Sequence, residues 1–273
     1  MTGETLLRLT DEGLYCEQGD FYIDPWKPVK NAIITHAHSD HARVGHESYL
    51  CHTLTAPLLQ LRLGPVSLET LGWNETRTVN GVKISLHPAG HIIGSAQIRV
   101  EYKGEIWVAS GDYKPEQDQL SGQFEPVRCH TFITESTFGL PIYQWQAQSQ
   151  VFESMKVWIR KNQSDGYHSL LLAYSLGKAQ RVLKGLETAG LPFYAHGAVA
   201  NVQETLAPFI PDLPGVQRIE SRDQLRDGPP GIIIAPPAVL GSSWCNRIKP
   251  FRSAMISGWM QVRGNLRRSG TDT

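Results

Sequence analysis

Short apolar runs separated by polar turns dominate the first half of the chain. Residues 82–87 alternate between apolar and polar positions, which predicts a half-buried strand. Other runs of similar length are bounded by turn-forming residues, as strands are. Residues 56–62 carry proline in the first turn of an apolar segment and predict a helix. The strands predicted on these grounds cover residues 6–9, 13–16, 21–25, 32–34, 49–52, 82–87, 96–102, 106–109 and 132–135.

From about Gln144 the pattern changes to an alternation of strands and longer helices. Such an alternation predicts a second α/β unit inserted into the first. We therefore divide the chain into a first domain over 1–143, an inserted unit over 144–239 and a return toward the first domain over 240–273. The predicted helices of the second half cover 151–161 and 176–189, and its strands cover 169–174, 192–197, 232–236 and 255–260.

Four side chains of metal-ligand type lie within six residues, directly after the apolar run 32–34: His36, His38, Asp40 and His41. Imidazoles two residues apart at a strand end can point at one cation, while Asp40 and His41 face a second position beside it. Imidazole and carboxylate together suit zinc, manganese or iron and do not choose among them. The alternative is a loop that is merely rich in histidine, and the density of ligands argues against it.

Three more candidate ligands follow this motif at the ends of predicted strands. His91 lies in a turn between Gly90 and Gly94, and Asp112 and Glu135 each end an apolar strand. Taken alone, His91 would be an ordinary turn histidine and Asp112 a turn-capping aspartate. Their order after the first motif favours a shared cleft, because strands that carry polar residues at their carboxyl ends build one between their loops.

This order predicts a site for two divalent metal ions. Such a pair lowers the pKa of a water toward neutrality and offsets the charge on an attacked phosphoryl or carbonyl oxygen. The predicted chemistry is therefore hydrolysis, with Asp40 as the base that holds the attacking water. The predicted ligands are His36, His38, His91 and Asp112 for the first ion, and Asp40, His41 and the bridging Asp112 for the second.

Composition adds limits on partners and location. Lysine plus arginine equals aspartate plus glutamate at 26 each, so net charge does not indicate a polyanionic partner, although a local basic stripe suffices for one. The four cysteines show no C-x-x-C pair, which fits a reducing cytoplasm. The first residues lack a signal-peptide pattern, and no apolar run approaches the ~20 residues of a membrane span. We predict a cytoplasmic protein with no membrane partner.

The His-x-His-x-Asp-His motif, the Gly-His turn and the strand-end aspartate together resemble the metallo-β-lactamase superfamily. The stretch 134–139, Thr-Glu-Ser-Thr-Phe-Gly, resembles the acidic motif that opens the insertion in the nucleic-acid-processing branch of that superfamily, the β-CASP nucleases. Within the branch, the stretches 19–26, 173–180 and 257–260 are similar to bacterial ligase-associated DNA exonucleases. The resemblance covers nearly the whole chain.

Several expectations follow from this resemblance. It implies an α/β fold, a metallo-β-lactamase αβ/βα sandwich with an inserted β-CASP-type α/β cap domain. It also implies two zinc or manganese ions, and catalytic roles for Asp40 and Glu135. DNA would be the substrate, in a groove between sandwich and cap, and an ATP-dependent DNA ligase and a helicase would be partners.

One departure from the family concerns histidines near the C-terminus. The branch carries two further motifs after the insertion, of the Ser-x-His-x-Asp and Thr-His-Gly types. They are thought to supply the leaving-group acid that is paired with the motif glutamate, and the last ligand of the second ion. No histidine follows Trp259 in this sequence, and His196 lies too early to replace them. We therefore expect a chain shortened at its C-terminus.

Contacts to nucleic acid are predicted at two basic stretches. Ser175 and Lys178 stand at a strand-to-helix turn, where free amide groups and the helix dipole favour a phosphate, and Arg181 follows along the helix. Arg263 and Arg267 could follow a phosphate backbone. The ordinary alternatives are a serine helix cap with a solvated lysine, and a solvated basic cluster near the terminus.

Three functions remain open on sequence grounds. The first is a metal-dependent DNA exonuclease that works with a ligase and a helicase in repair. The second is an RNA-processing nuclease of the mRNA 3′-end type, which would share every metal residue and differ in readout of the 2′-hydroxyl. The third, if the shortening is natural, is an inactive metal-binding protein that binds nucleic acid.

Overall fold

A computed structural model of the chain describes residues 5–136, 139, 145–221, 223–226 and 228–257. The chain divides into two compact units, Met1–Thr137 and Phe138–Thr273.

The described part of the first unit contains two sheets. The first sheet has the order β1-β2-β3-β4-β5-β6, with parallel pairing from β3 to β6 and antiparallel pairing before it. Its strands are β1 (Arg8–Leu9), β2 (Leu14–Cys16), β3 (Phe21–Ile23), β4 (Asn31–Ile33), β5 (Ser48–His52) and β6 (Leu68–Leu71), and helix α1 (Ala56–Leu63) follows β5.

The second sheet of this unit has the order β11-β10-β9-β8-β7 and is antiparallel except for the parallel pair β10–β11. Alternate residues of β9, such as Ile98 and Val100, are fully buried and pack in one apolar cluster with Ile33 from the first sheet. The two sheets therefore share one core, as two stacked layers must. The strands of the second sheet are β7 (Thr76–Val79), β8 (Val82–Pro88), β9 (Ala96–Tyr102), β10 (Glu105–Ala109) and β11 (Thr131–Ile133).

The second unit contains a parallel sheet with the order β14-β13-β15-β12-β16 in its described part. Its central strands are apolar on both faces, because helices cover both: Leu171 and Leu170 pack in different clusters on opposite faces. The strands are β12 (His168–Leu172), β13 (Phe193–Ala195), β14 (Gln217–Arg218), β15 (Ile232–Ala235) and β16 (Phe251–Met255), and the helices are α2 (Gln148–Ser164), α3 (Lys178–Leu186), α4 (Gly197–Leu206), α5 (Asp223–Arg226) and α6 (Ser243–Arg247).

The mixed α/β class predicted from the sequence is confirmed, and several elements differ in detail. β6, β7 and α4 were not predicted, because polar residues interrupt their apolar patterns. Where a strand was predicted over 255–260, the structure has β16 over Phe251–Met255, which begins earlier in the chain. Residues 258–260 lie outside the described residues.

β16 pairs with β12 in the sheet of the second unit, so the described residues after 240 join that unit. The physical reason is that the run Phe251–Met255 adds a parallel strand beside β12, a pairing that apolar spacing alone does not reveal.

The packing of α3 against α2 gives a stability prediction. A Cβ atom at Gly185 would lie 2.2 Å from Cζ of Phe152 on α2. Alanine normally stabilises a helix interior by ~1 kcal/mol relative to glycine, but we expect this overlap to cost more. Gly185→Ala should therefore lower the free energy of unfolding by about 1–2 kcal/mol in urea titrations.

Gly197→Ala in α4 is the matched control, because its nearest neighbour is the movable end of Arg218 at 3.2 Å. The packing account would be contradicted if Gly185→Ala were as stable as Gly197→Ala.

Candidate metal centre

The histidine motif forms a loop at the carboxyl end of β4. Ile34, just past the strand, still donates its N–H to Leu50 O at 2.8 Å. The carbonyl of Thr35 accepts a hydrogen bond of 2.8 Å from the N–H of Ala96, the first residue of β9. The loop is therefore bonded to both sheets of the first unit, which fixes the direction in which its side chains leave.

The carboxylate of Asp24, at the end of the neighbouring strand β3, positions this loop. It accepts the backbone N–H of Thr35 at 2.8 Å and the Thr35 hydroxyl at 2.5 Å. It also lies 2.7 Å from Nδ1 of His41. Because the Thr35 hydroxyl donates to Asp24, its oxygen can accept the Nδ1 proton of His36, 3.1 Å away. These bonds leave Nε2 of both His36 and His41 to bind an ion, as outer hydrogen bonds do in metal sites.

Four ligand-type side chains form the first cluster: His36, His38, His91 and Asp112. Nδ1 of His38 lies 3.1 Å from Nε2 of His36 and 3.3 Å from Nε2 of His91. Oδ2 of Asp112 lies 3.3 Å from Nε2 of His91 and 3.9 Å from Nε2 of His36. Bonds of ~2.1 Å in a tetrahedral arrangement place ligand atoms about 3.4 Å apart. The donor set therefore fits one ion in both residue type and spacing.

The turn that carries His91 is fixed by one hydroxyl. The backbone N–H groups of His91 and Ile92 donate to Oγ of the buried Ser95, at 3.0 and 3.2 Å. The turn also requires Gly94, whose φ is +77° and whose Cβ, if present, would lie 2.7 Å from Oγ1 of Thr55. The imidazole of His91 is thus presented by a backbone that has little freedom.

Asp112 belongs to both clusters of potential ligands. The second cluster consists of His41, Asp112 and Glu135, and in each cluster the ligand atoms lie within 4.8 Å of one another. The preceding residue, Gly111, has φ +54°, and a Cβ there would lie 2.6 Å from Oγ1 of Thr35. Only glycine therefore lets the Asp112 loop approach the histidine loop this closely. The arrangement is consistent with a binuclear metal site bridged by Asp112.

Electrostatics distinguish the two clusters. Burial, followed by the charges of neighbouring histidines, lowers the pKa of His36 well below its ordinary value. Burial also lowers the pKa of His91 to about 4, although Asp112 acts in the opposite direction. Both imidazoles are therefore neutral near pH 7, which is the form that binds a metal.

His41 has the opposite shift. Burial lowers its pKa, but the hydrogen bond and charge of Asp24, with the charges of Glu135 and Asp40, outweigh burial and raise the pKa to about 9. Burial raises the pKa of Glu135, the charge of His41 lowers it, and nearby carboxylates such as Asp112 raise it further. His41 in the second cluster thus carries a proton that an ion would displace.

The structure brings five of the predicted metal ligands together and leaves one outside both clusters. Asp40 is 71% exposed at its side chain, and its Oδ2 lies 3.8 Å from Nε2 of His41. Glu135, which was predicted to be catalytic, lies in the second cluster in its place. The five are His36, His38, His41, His91 and Asp112.

Asp24 is the functional residue that sequence reasoning missed. A signal for it was present, because Asp24 ends an apolar strand as Asp112 and Glu135 do. Parallel pairing of β3 with β4 then places it beside the histidine motif.

The predicted contacts to nucleic acid lie in the second unit. Ser175 and Lys178 lie between β12 and the first turn of α3, and burial, followed by the charge of Arg181, lowers the pKa of Lys178. Arg181 itself donates from Nε to Oε1 of Gln148 at 3.1 Å. Arg263 and Arg267 lie outside the described residues.

Comparisons with known proteins give relatives that include nucleic-acid enzymes. The chain is 31% identical over 264 residues to a probable DNA ligase of Opitutus terrae, a match that covers 95% of this chain and 25% of that protein. It is 24% identical over 240 residues to cleavage and polyadenylation specificity factor 73 of Drosophila melanogaster, covering 74% of this chain and 34% of that protein. Endoribonuclease YSH1 of Saccharomyces cerevisiae is 30% identical over 118 residues, a match that covers 42% of this chain and 15% of that protein.

The chain therefore spans about a third or less of the length of these relatives. No protein-family model matches it. A crystal structure of a protein of unknown function from Enterococcus faecalis matches with a TM-score of 0.53 at 11% identity, over 83% of this chain and 69% of that one. This likeness concerns the fold alone, a mixed α/β architecture with three sheets among the described residues.

Among the described residues, no helix is both long enough and apolar enough to cross a membrane.

The hydrogen bonds of Asp24 give a prediction on metal affinity. Asp24→Asn removes the charged acceptor for Thr35 and His41. The orientations of His41 and of His36, which is held through the Thr35 hydroxyl, then become less fixed. We expect a fall in affinity for Zn²⁺ or Mn²⁺ of about 10- to 100-fold in competition with a chromophoric chelator. Asp11→Asn, which makes the same change at an exposed position, should bind as the unchanged protein does. Equal affinities for the two variants would contradict the positioning role.

The raised pKa of His41 gives a prediction on pH. Because His41 is protonated below about pH 9, an ion entering the second cluster must displace a proton. The weaker of two binding steps should therefore strengthen as pH rises toward about 9 and release about one proton per ion. Isothermal titration in buffers of different ionisation enthalpy measures this release. If His41→Ala retained the same proton release, the assignment to His41 would be wrong.

Proposed function

We propose that this chain is a metal-dependent phosphodiesterase that cleaves nucleic acid. The observation that carries the proposal is the pair of His/Asp clusters that share Asp112 at the strand ends of the first unit. Relatives whose names describe a cleavage factor, an endoribonuclease and a DNA ligase support a substrate with phosphodiester bonds.

The residues of the two clusters would divide the work between binding and proton transfer. When bound, a pair of zinc or manganese ions supplies Lewis-acid activation of water and neutralises charge that develops on a phosphoryl group. His36, His38 and His91 would hold the first ion, His41 the second, and Asp112 would contact both. The imidazoles of His36 and His91 are neutral, and that of His41 becomes neutral when an ion displaces its proton, so none of them repels the ions.

Asp40 and Glu135 have the exposure that a group in contact with substrate needs. Asp40 lies beside His41 and is largely exposed, so it can accept a proton from the attacking water. Glu135 is half exposed next to the same histidine, with Oε1 at 3.7 Å from Nδ1 of His41. Because Glu135 groups with His41 and Asp112, it would contact an ion held in the second cluster, and its exposed part would face the substrate.

Within this class we propose a DNA exonuclease that works beside an ATP-dependent DNA ligase and a helicase in repair. The support is that the match to the probable DNA ligase extends over 95% of the chain, whereas the match to the yeast endoribonuclease covers 42%. The inserted β-CASP-type cap over 144–239 and the contacts at Ser175, Lys178 and Arg181 belong to this proposal. An RNA-processing nuclease is the second candidate, because other relatives are a cleavage and polyadenylation specificity factor, matched over 74% of the chain, and an endoribonuclease.

The test is cleavage of matched labelled single-stranded DNA and RNA by the chain loaded with Mn²⁺ or Zn²⁺. We expect DNA to be shortened progressively from an end, and the rate to fall about a hundredfold or more in His38→Ala, which removes a ligand of the first cluster. Asp40→Asn should lose most of the rate while still binding metal, because Asp40 lies outside both clusters.

Asp11→Asn is the matched control for Asp40→Asn and should cleave as the unchanged chain does. Preference for RNA would favour the second candidate. A chain that binds two ions and one strand but cuts neither substrate would overturn the enzyme reading in favour of a binding protein.

A further inference from the structure

The second sheet of the first unit has one face on the shared core and one face away from it. On β9, Ile98 and Val100 point into the core, so Arg99 between them points to the other face. His87 on β8 and Ile106 on β10 share that outer face. The residues next to them in sequence, Leu86 and Trp107, face the core, and successive residues of a strand point to opposite faces. The segment from Glu125 to His130 lies over this face and encloses a cavity of about 530 Å³. This outer cavity is lined among others by His87, Arg99, Glu125, Arg128 and His130.

We propose that the outer cavity binds one nucleotide unit, with the phosphate at Arg128 and His130 and the base on the adjacent aromatic side chains. The proposal deepens the nuclease function and rests on it for the identity of the strand. Binding itself does not require the metal clusters.

Among the cationic side chains of the outer cavity, Arg99 and His87 have partners within the protein, which leaves the guanidinium of Arg128 for a ligand. Arg99 is paired with Glu101 at 2.7 Å. Both ring nitrogens of His87 have partners, Oγ of Ser85 at 3.0 Å and Oε1 of Glu125 at 3.2 Å. Glu125, the carboxylate that lines the same cavity, pairs with His87, and no ion pair found among the described residues includes Arg128. Its guanidinium is therefore available for a phosphate, which it can bind through two parallel hydrogen bonds.

His130 adds a fixed donor beside Arg128. Its Nδ1 accepts the backbone N–H of Ile106 at 3.0 Å, so the proton of the neutral ring lies on Nε2. His130 is exposed and lines the outer cavity, so Nε2–H can donate to a phosphate oxygen without breaking another contact.

An aromatic group continues the outer cavity toward the metal clusters. Phe132 follows His130 on the same face of β11 and is 40% exposed. Its ring lies 6.1 Å from that of Tyr113, which in turn lies 5.1 Å from that of Phe124. Tyr113 directly follows Asp112, the carboxylate shared by both metal clusters. Phe132 does not line the cavity itself, but it lies two residues beyond His130, which does. Proteins bind single-stranded nucleic acid by combining such exposed rings with cationic side chains.

The chemistry of the lining selects this ligand class. A purely anionic ligand would use Arg128 and His130 but leave the exposed face of Phe132 in water. An apolar ligand would gain nothing from the exposed guanidinium of Arg128 or from Nε2–H of His130. A nucleotide has both a phosphate for Arg128 and His130 and a base that can stack on Phe132. The cavity volume lies within the 300–1,000 Å³ that is usual for small-ligand sites.

The test measures binding of a short labelled thymidine oligonucleotide, and of thymidine monophosphate as competitor, by fluorescence anisotropy with a chelator present. We expect Arg128→Glu to weaken oligonucleotide binding about tenfold and to reduce its salt dependence by the equivalent of about one phosphate. Phe132→Ala should weaken it about tenfold with the salt dependence unchanged, because stacking carries no counterion release. Competition by the monophosphate that Arg128→Glu abolishes identifies a site for the free nucleotide, and its absence identifies a unit within a strand.

Arg160→Glu, which reverses an exposed charge on α2, is the matched control and should bind as the unchanged chain does. Thermal unfolding of each variant checks that the fold is retained, as expected at exposed positions. The proposal is overturned if Arg128→Glu and Phe132→Ala bind normally, or if Arg160→Glu weakens binding as much as Arg128→Glu. The chelator removes catalysis, so this binding test does not depend on nuclease activity. If the chain binds the oligonucleotide here but cleaves no substrate when loaded with metal, the nuclease proposal is overturned and this binding site stands.

Discussion

The carboxylate of Asp24 is the contact on which the candidate metal centre depends. It accepts three hydrogen bonds, from the N–H and hydroxyl of Thr35 and from His41. Through the Thr35 hydroxyl it also determines which nitrogen of His36 carries the proton. One partly buried charge thus orients a histidine in each cluster, and its hydrogen bonds offset the cost of removing it from water.

The two sheets of the first unit supply the remaining ligands from short, constrained loops. His91 follows β8 in a turn that Ser95 closes, and Asp112 follows β10 after a glycine that packs on Thr35. Two neutral imidazole nitrogens, Nε2 of His36 and Nε2 of His91, then lie within 4 Å of one carboxylate oxygen of Asp112, an arrangement that a cation would stabilise. Tyr113 directly follows Asp112, and its ring lies 6.1 Å from that of Phe132, so the proposed stacking group would lie beside one loop of the metal centre.

The local part of this site could be predicted from the sequence, and the tertiary part could not. His36, His38 and His41 are close in sequence after an apolar strand, so their role is visible in the pattern itself. Asp40 belongs to the same pattern, yet its side chain is largely exposed and lies outside both clusters, whereas Glu135 lies in the second cluster. That exchange, like the role of Asp24, depends on which strand ends meet in space. Sheet order sets those meetings, and apolar spacing does not determine sheet order.

The central claim is that Asp112 joins two clusters into one binuclear site. The most direct test is electron paramagnetic resonance of the chain titrated with Mn²⁺, because ions about 3.5–4 Å apart couple through a bridging carboxylate. The account predicts a spectrum of an exchange-coupled pair as the second equivalent binds, and isolated ions in Asp112→Ala. Isolated ions in the unchanged chain at every loading, or saturation at one ion, would contradict it.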